Sequence, residues 1–142
     1  MPKIIKKLWG KELIYKNDKD YCVKLLFVDQ GKCCSIHLHE NKTESFMAHS
    51  GRVLLEIWDQ LSENFKDKEL CEVCSKKPSK RIVLTPYHEF QTHTCSFITI
   101  LPRTPHRFYG LNDCDNSFFE ASTEDSPDDS YRALKSMGID YK

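Results

Sequence analysis

The chain lacks a net charge, a long apolar run and an even number of cysteines, and each absence removes a class of function. Its 142 residues carry 21 Lys plus Arg against 21 Asp plus Glu. No global field therefore draws it to nucleic acid or to an anionic membrane, and any anion selectivity has to be local. No apolar stretch approaches the roughly 20 residues of a membrane span. The opening Met1-Pro-Lys-Ile-Ile-Lys-Lys-Leu-Trp9 has too short an apolar core for a secretory signal. Seven cysteines is a high count but an odd one, and Cys22, Cys33 and Cys34 sit in apolar runs where a thiol acts as a small hydrophobe. A disulfide framework is disfavoured and a cytoplasmic protein is expected. One domain over residues 1–142 is expected at this length, burying roughly two thirds of its unfolded surface without covalent staples.

What is present is strand texture. Short runs of period two, separated by polar turns, recur at Glu12 to Lys16, Tyr21 to Val28, Lys32 to His39, Glu44 to His49, Arg52 to Trp58, Arg81 to Tyr87, Phe97 to Leu101, His106 to Tyr109 and Ser117 to Ser122. This spacing predicts an all-β barrel or sandwich, with Ser50-Gly51 as a tight hairpin turn. Leu61 to Lys80 breaks the pattern: it is polar and lysine-rich, and is expected as an inserted, solvated loop. After Asp128-Asp129 the texture changes again. Ser126 as a cap, Pro127 at the first helical position, acids in the first turn and Gly138 at the end predict a short C-terminal helix over 126–138 that covers a barrel end.

The chemistry concentrates between Gly31 and Gly51. His37 and His39, two apart in a strand, leave the same face, while Cys34, Ile36 and Leu38 leave the other. Glu44 follows a short polar turn, Glu40 to Thr43, and can bring a carboxylate back to the same spot from a neighbouring antiparallel strand. Far along the chain, two prolines in Leu101-Pro-Arg-Thr-Pro-His106 frame a donor-poor turn that can aim His106 inward. Three imidazoles and one carboxylate suit one divalent transition metal (Zn, Mn, Fe, Co or Ni) with positions left for water or substrate. Packing alone does not explain so many buried polar groups. Cys33 shares the face of the histidine pair and either lines the pocket floor or fills core space.

The spacing Gly-x5-His-x-His-x4-Glu-x6-Gly, with the Pro-flanked histidine downstream, resembles the paired motifs of the cupin superfamily, His37, His39 and Glu44 falling on the first motif and His106 on the second. The resemblance implies an antiparallel jelly-roll barrel with the metal inside. Trp9-Gly-Lys-Glu-Leu-Ile-Tyr15, Phe118-Phe-Glu-Ala-Ser-Thr-Glu124 and Pro127-Asp-Asp-Ser-Tyr-Arg132 are further similar to single-domain cupins related to type II phosphomannose isomerase. Two departures bear on the substrate rather than the fold. Leu101-Pro102-Arg103 replaces a Pro-Pro-Gly, and the ending lacks an acidic stretch and closing arginine. The implied activity is aldose–ketose isomerisation of a hexose or hexose phosphate through an enediolate, in a homodimer. The metal set alone leaves open an iron-dependent dioxygenase, or a sugar- or metal-binding protein without catalysis.

A phosphate would need local cations. Arg103 and Arg107, flanking His106, are placed best in sequence; Lys24 and Arg52 come after them, and Arg132 belongs at the pocket mouth by resemblance. Glu56 and Glu120 are candidate bases if they face inward, though a strand's wet face is the commoner fate. The partners expected are therefore small molecules, with neither nucleic acid nor membrane. Cys71-Glu-Val-Cys74 is half a zinc site by spacing, with only His88, His93 or Cys95 to complete it. Reduced cysteines on an exposed loop are the default there. His49, His88 and His93 are expected at the surface.

Overall fold

The computed structural model describes residues 1–87 and 93–133 of the chain. Strands β1 (Lys3–Lys7), β2 (Gly10–Asn17), β3 (Cys22–Val28), β5 (Glu44–Ser50), β9 (Phe97–Ile100) and β11 (Ser117–Ser122) form one six-stranded sheet in the order β1-β2-β3-β11-β5-β9. Strands β4 (His37–His39), β6 (Val53–Ile57), β7 (Lys80–Leu84), β8 (Thr94–Cys95), β10 (His106–Gly110) and β12 (Ser130–Arg132) form a second, in the order β12-β4-β10-β6-β7-β8. Apart from the parallel pair β7 and β8, every pairing is antiparallel. The inner faces share one core that includes Trp9, Leu26, Phe46, Leu55, Phe108 and Phe118.

Each of the nine expected runs holds a strand, but the connections differ from the simplest reading. Ser50-Gly51 does not close a hairpin: β5 lies in one sheet and β6 in the other. Gly51 makes the sharp step between sheets possible. Its φ is +69°, and a Cβ there would stand 2.1 Å from the Asp115 carbonyl oxygen. Glu44 likewise sits not on a strand paired with β4 but across the interior, in the opposite sheet. The run Lys32 to His39 forms a strand only over its last three residues. The irregular backbone before His37 resets the alternation, so Cys34, not Cys33, lines the interior, where its Sγ accepts the Phe108 amide at 3.3 Å. Burial pushes the Cys34 thiol up to about 12.

The insertion is structured. Asp67–Cys74 forms helix α1, whose Leu70 and Cys74, four apart on one face, are buried against Ile36, Leu38, Trp58, Leu61 and Ala133. A second apolar cluster thus backs the strand that carries His37 and His39. Cys74 belongs to this cluster rather than to an exposed loop, and burial raises its thiol to about 12. Over 126–138, the opening matches the expected cap and proline, but the helix stops as a single 3-10 turn at Pro127–Asp129 and the chain continues as β12. Residues 134–138, with His88, lie outside the described residues. Among the described residues, no helix is long and apolar enough to cross a membrane.

If α1 is an integral wall of the histidine strand, Leu70→Ala should cost about 2–5 kcal/mol in chemical denaturation, because Leu70 is only 3% exposed. A loss within 0.5 kcal/mol, the usual range for a surface substitution, would show the helix to be a loosely attached appendage.

Candidate metal centre

His106 opens β10, opposite His37 on β4. Pairing in register puts side chains of directly opposed residues on the same face, and β4 presents His39 two residues on. The three imidazoles converge: one ligand atom from each of His37, His39 and His106 lies within 4.8 Å of the others. Among the described residues this is the one grouping of three or more potential ligands so arranged. Among the described residues, Cys71 and Cys74 form no such group. His49 and His93 are exposed, as expected, His49 bonding to the Ser117 hydroxyl at 2.9 Å.

Each ring is turned by what its other nitrogen does. His37 Nδ1 meets the Ser35 carbonyl oxygen at 2.8 Å and His106 Nδ1 the Thr104 carbonyl oxygen at 2.9 Å. A carbonyl oxygen only accepts, so both Nδ1 atoms carry a proton, and in the neutral ring it is Nε2 that offers its lone pair to a ligand. His39 Nδ1 stands 3.1 Å from the Ser130 hydroxyl. Arg103, at φ 61°, forms the turn that leads to His106, its amide bonded to the His39 carbonyl at 2.7 Å and its Nε to the Leu61 carbonyl at 3.2 Å.

Glu44 arrives from the opposite sheet, 2% exposed, with Oε1 2.8 Å from His106 Nε2 and Oε2 3.5 Å from His39 Nε2. Neither oxygen has a hydrogen-bond partner, nor does His106 Nε2. Beyond these close contacts and the nearby Lys42 ammonium, three buried polar atoms meet at one point without a geometrically good hydrogen bond, a costly arrangement that a further cation between them would relieve. The donor set, three imidazoles and a carboxylate, is of the kind that suits a divalent transition metal.

At His37 and His39 electrostatics favour the neutral, ligating ring. Burial pushes His37 well below its usual 6.5, helped by the neighbouring rings, and pushes His39 down to about 4, helped by Lys42. At Glu44 burial opposes ionisation, but His106, Lys42 and His39 outweigh it and hold the carboxyl well below 4.5. At His106 burial is outweighed by Glu44, which raises it. The cation that sequence reasoning missed is Lys42. Only 3% exposed, its Nζ lies 3.1 Å from Glu44, 2.9 Å from Glu120 and 3.2 Å from Asp125. Reading it as part of a polar turn hid it; its place two residues before the buried Glu44 was the only signal.

A cavity of about 350 Å³ opens beside the histidines. Trp9, Leu26, Phe46 and Phe108 form its apolar wall, and Glu12, Lys24, Lys42, Glu120, Asp125 and Arg132 supply polar groups. Glu120 faces inward. Glu56 is on the other side of its sheet, where Arg107 and Arg81 meet it at 2.6 and 3.2 Å. Of the candidate anion contacts, Lys24 lines the cavity, whereas Arg52, Arg103 and Arg107 are not among its lining residues; Arg132, expected near the pocket mouth by resemblance, lines it too. Arg52 is exposed, and Arg107 lies over the Trp58 ring at 5.8 Å. Alternation along β10 explains Arg107: its neighbour His106 points in, so it points out.

Two outcomes follow. Free metal at a hundredfold excess over its Kd should stabilise the protein by about 2.7 kcal/mol in calorimetry, and His106→Ala should remove that shift; an equal shift in the variant would place the ion elsewhere. Asp125 gives a pH signature. Burial alone would raise it, but Lys42 and Lys24 hold it at about 2. Its depressed value adds about 2 kcal/mol of stability, present above the ordinary 3.8 and lost as pH falls from there to about 2. Asp125→Asn should flatten the stability–pH curve across that window, and an unchanged slope would contradict the pairing.

The chain matches the family model described as D-lyxose isomerase over residues 9–136. No curated protein matches it. The fold is that of solved cupin structures. The capsular polysaccharide assembling protein CapF from Staphylococcus aureus is 17% identical at a TM-score of 0.64, the match covering 93% of this chain and 31% of that one. The L-ribose isomerase of Geodermatophilus obscurus is 16% identical at a TM-score of 0.63, covering 90% and 71%. KdgF from Halomonas sp. is 12% identical at 0.61, covering 89% of each. This chain thus spans about a third of CapF. A cupin fold, and a family model that runs from Trp9 through the metal centre to the C-terminal strand, make the chain a member of the D-lyxose isomerase family.

Proposed function

We propose that the chain is a metal-dependent aldose–ketose isomerase acting on a small neutral aldose of the lyxose type. The observation that carries the reading is the inward Glu120 carboxylate, sharing a cavity with three histidines and Glu44. His37, His39, Glu44 and His106 would hold one divalent ion of the Zn, Mn, Fe, Co or Ni group. Bound there, the ion would polarise a carbonyl and the neighbouring hydroxyl of a sugar.

Isomerisation moves one proton from C2 to C1 and one from O2 to O1. Glu120 is suited to carry the carbon-bound proton. Burial raises its pKa above the usual 4.5 and the Glu44 charge adds to this, while Lys42 and Lys24 oppose it, bringing the carboxyl nearer the operating pH. The Ser122 hydroxyl donates to its Oε2 at 3.0 Å and fixes its orientation. Lys42, between Glu44 and Glu120, keeps both carboxylates tolerable in the interior. The apolar wall limits water at the enediol stage.

The charge balance of the cavity supports this substrate class. Lys24 is matched by Glu12 and Asp125, and Lys42 by Glu44, Glu120 and Asp125. The deep cations are thus already answered by carboxylates, which favours a neutral sugar over the hexose phosphate first expected. A cavity at the small end of the roughly 300–1,000 Å³ of ligand sites suits a monosaccharide. D-Lyxose has the C2 and C3 configuration of D-mannose, which reconciles the family model with the resemblance to phosphomannose isomerases. Seven free thiols fit a reducing cytosol.

The test is proton exchange. Metal-loaded protein in deuterated water should place deuterium at C2 of D-lyxose and yield the ketose, with mannose 6-phosphate turned over more slowly. Glu120→Gln should lower the rate by about 10²–10⁴ without loss of metal. Oxygen consumption with a small acid or thiol, and no exchange in any aldose, would replace this reading with the dioxygenase one.

A further inference from the structure

The Asp-Asp-x-x-Arg element, Asp128 to Arg132, takes no part in the chemistry proposed above, yet its contacts gather around the metal ligands. Asp129 is buried. Its Oδ1 accepts the Asn41 amide at 2.8 Å and the Asn41 side-chain amide at 3.0 Å; its Oδ2 accepts the Lys42 amide at 3.1 Å; its own carbonyl accepts the Glu40 amide at 3.0 Å. These four bonds pin the turn that carries the chain from His39 to Glu44. Ser130 pairs with His39 across β12 and β4, and its hydroxyl meets His39 Nδ1 at 3.1 Å. Tyr131 donates to the Glu40 carboxylate at 2.9 Å. Arg132, opposite His37, donates to the hydroxyl of Ser35, the residue whose carbonyl orients His37.

We infer that Asp129 and Ser130 are positioning residues for the metal: the C-terminal strand is a clasp that sets the spacing of His37, His39 and Glu44, so that metal binding and docking of the clasp are linked. The inference rests on the metal centre of the proposed function, but not on isomerase activity. The linkage is reciprocal. Whatever loosens the clasp weakens the metal, and the metal must hold the clasp by the same factor. Outer-shell partners of metal ligands commonly set affinity by 10–100-fold. Asp129→Asn is a sharp probe, since it replaces one acceptor oxygen by a donor facing backbone amides. Ser130→Ala removes one hydroxyl, and Ser130→Thr restores it.

The experiment uses the full chain and cobalt(II), titrated in competition with a chromophoric chelator, alongside melting of the metal-free forms. Asp129→Asn and Ser130→Ala should each weaken cobalt binding about 10–100-fold. Ser130→Ala should melt within a few degrees of wild type when metal-free, with altered visible bands of its cobalt form, and Ser130→Thr should recover both. Tryptic cleavage after Arg132 should slow on adding cobalt to wild type, and slow less in Asp129→Asn. Unchanged cobalt affinity and spectrum in Ser130→Ala would overturn the inference, as would cleavage indifferent to metal. Should Asp129→Asn fail to fold, the serine pair decides alone. Wild type that binds cobalt under this control but isomerises no sugar would refute the isomerase reading and leave the clasp standing.

Discussion

The structure is organised around a carboxylate in the wrong place for any protein without a cation to put beside it. Glu44 is almost fully buried, and neither of its oxygens is hydrogen-bonded. An ionised group so placed is prohibitively costly when uncompensated, so its surroundings have to supply charge. They do so from two sides. Lys42 stands on one, in contact with Oε2, and the imidazoles converge on the other. A metal dication among the imidazoles would complete the balance, with the Nδ1 contacts to the Ser35 and Thr104 carbonyls leaving the right lone pairs free.

The fold makes this possible by alternating sheets. β4 and β10 belong to one sheet and β5 to the other, so the histidines and the carboxylate approach from opposite walls. The two structural surprises serve the same end. Helix α1 backs the strand of His37 and His39 with a second apolar cluster, and β12 pairs along its free edge. A three-residue strand would otherwise be a poor platform for two ligands. The site is held from behind and from the side by segments far away in sequence.

How much of this was legible beforehand depends on whether the signal was local. The convergence of His37, His39 and His106 was, because period two on His37 and His39 survives any change of partner strand, and the prolines around Arg103 and Thr104 fix the aim of His106 locally. Pairing was not. Ser50-Gly51 looks the same whether it turns back in one sheet or steps between two. Cys33 was misplaced because alternation was counted through residues 34–36, where the backbone is not a strand. The helix in the insertion was hidden by the charged Asp67, Lys68 and Glu72 on its wet face, with only Leu70, Val73 and Cys74 to betray a stripe. Pro127-Asp128-Asp129 opens like a helix, but pairing of Ser130–Arg132 with β4 overrides that propensity. Arg103 and Arg107 were chosen by nearness in sequence to His106, and neither turn geometry nor strand alternation leaves them facing the cavity. Buried cations such as Lys42 are recognisable only from their partners, which arrive from β11 and from the segment after it.

The most direct test of the central claim is anomalous diffraction, at the metal edge, from crystals grown with a divalent transition metal. One strong peak is expected between the two sheets, with the Nε2 atoms of His37, His39 and His106 and an oxygen of Glu44 at about 2.0–2.2 Å. A cavity without a peak at saturating metal, or a peak at Cys71 and Cys74 alone, would contradict it.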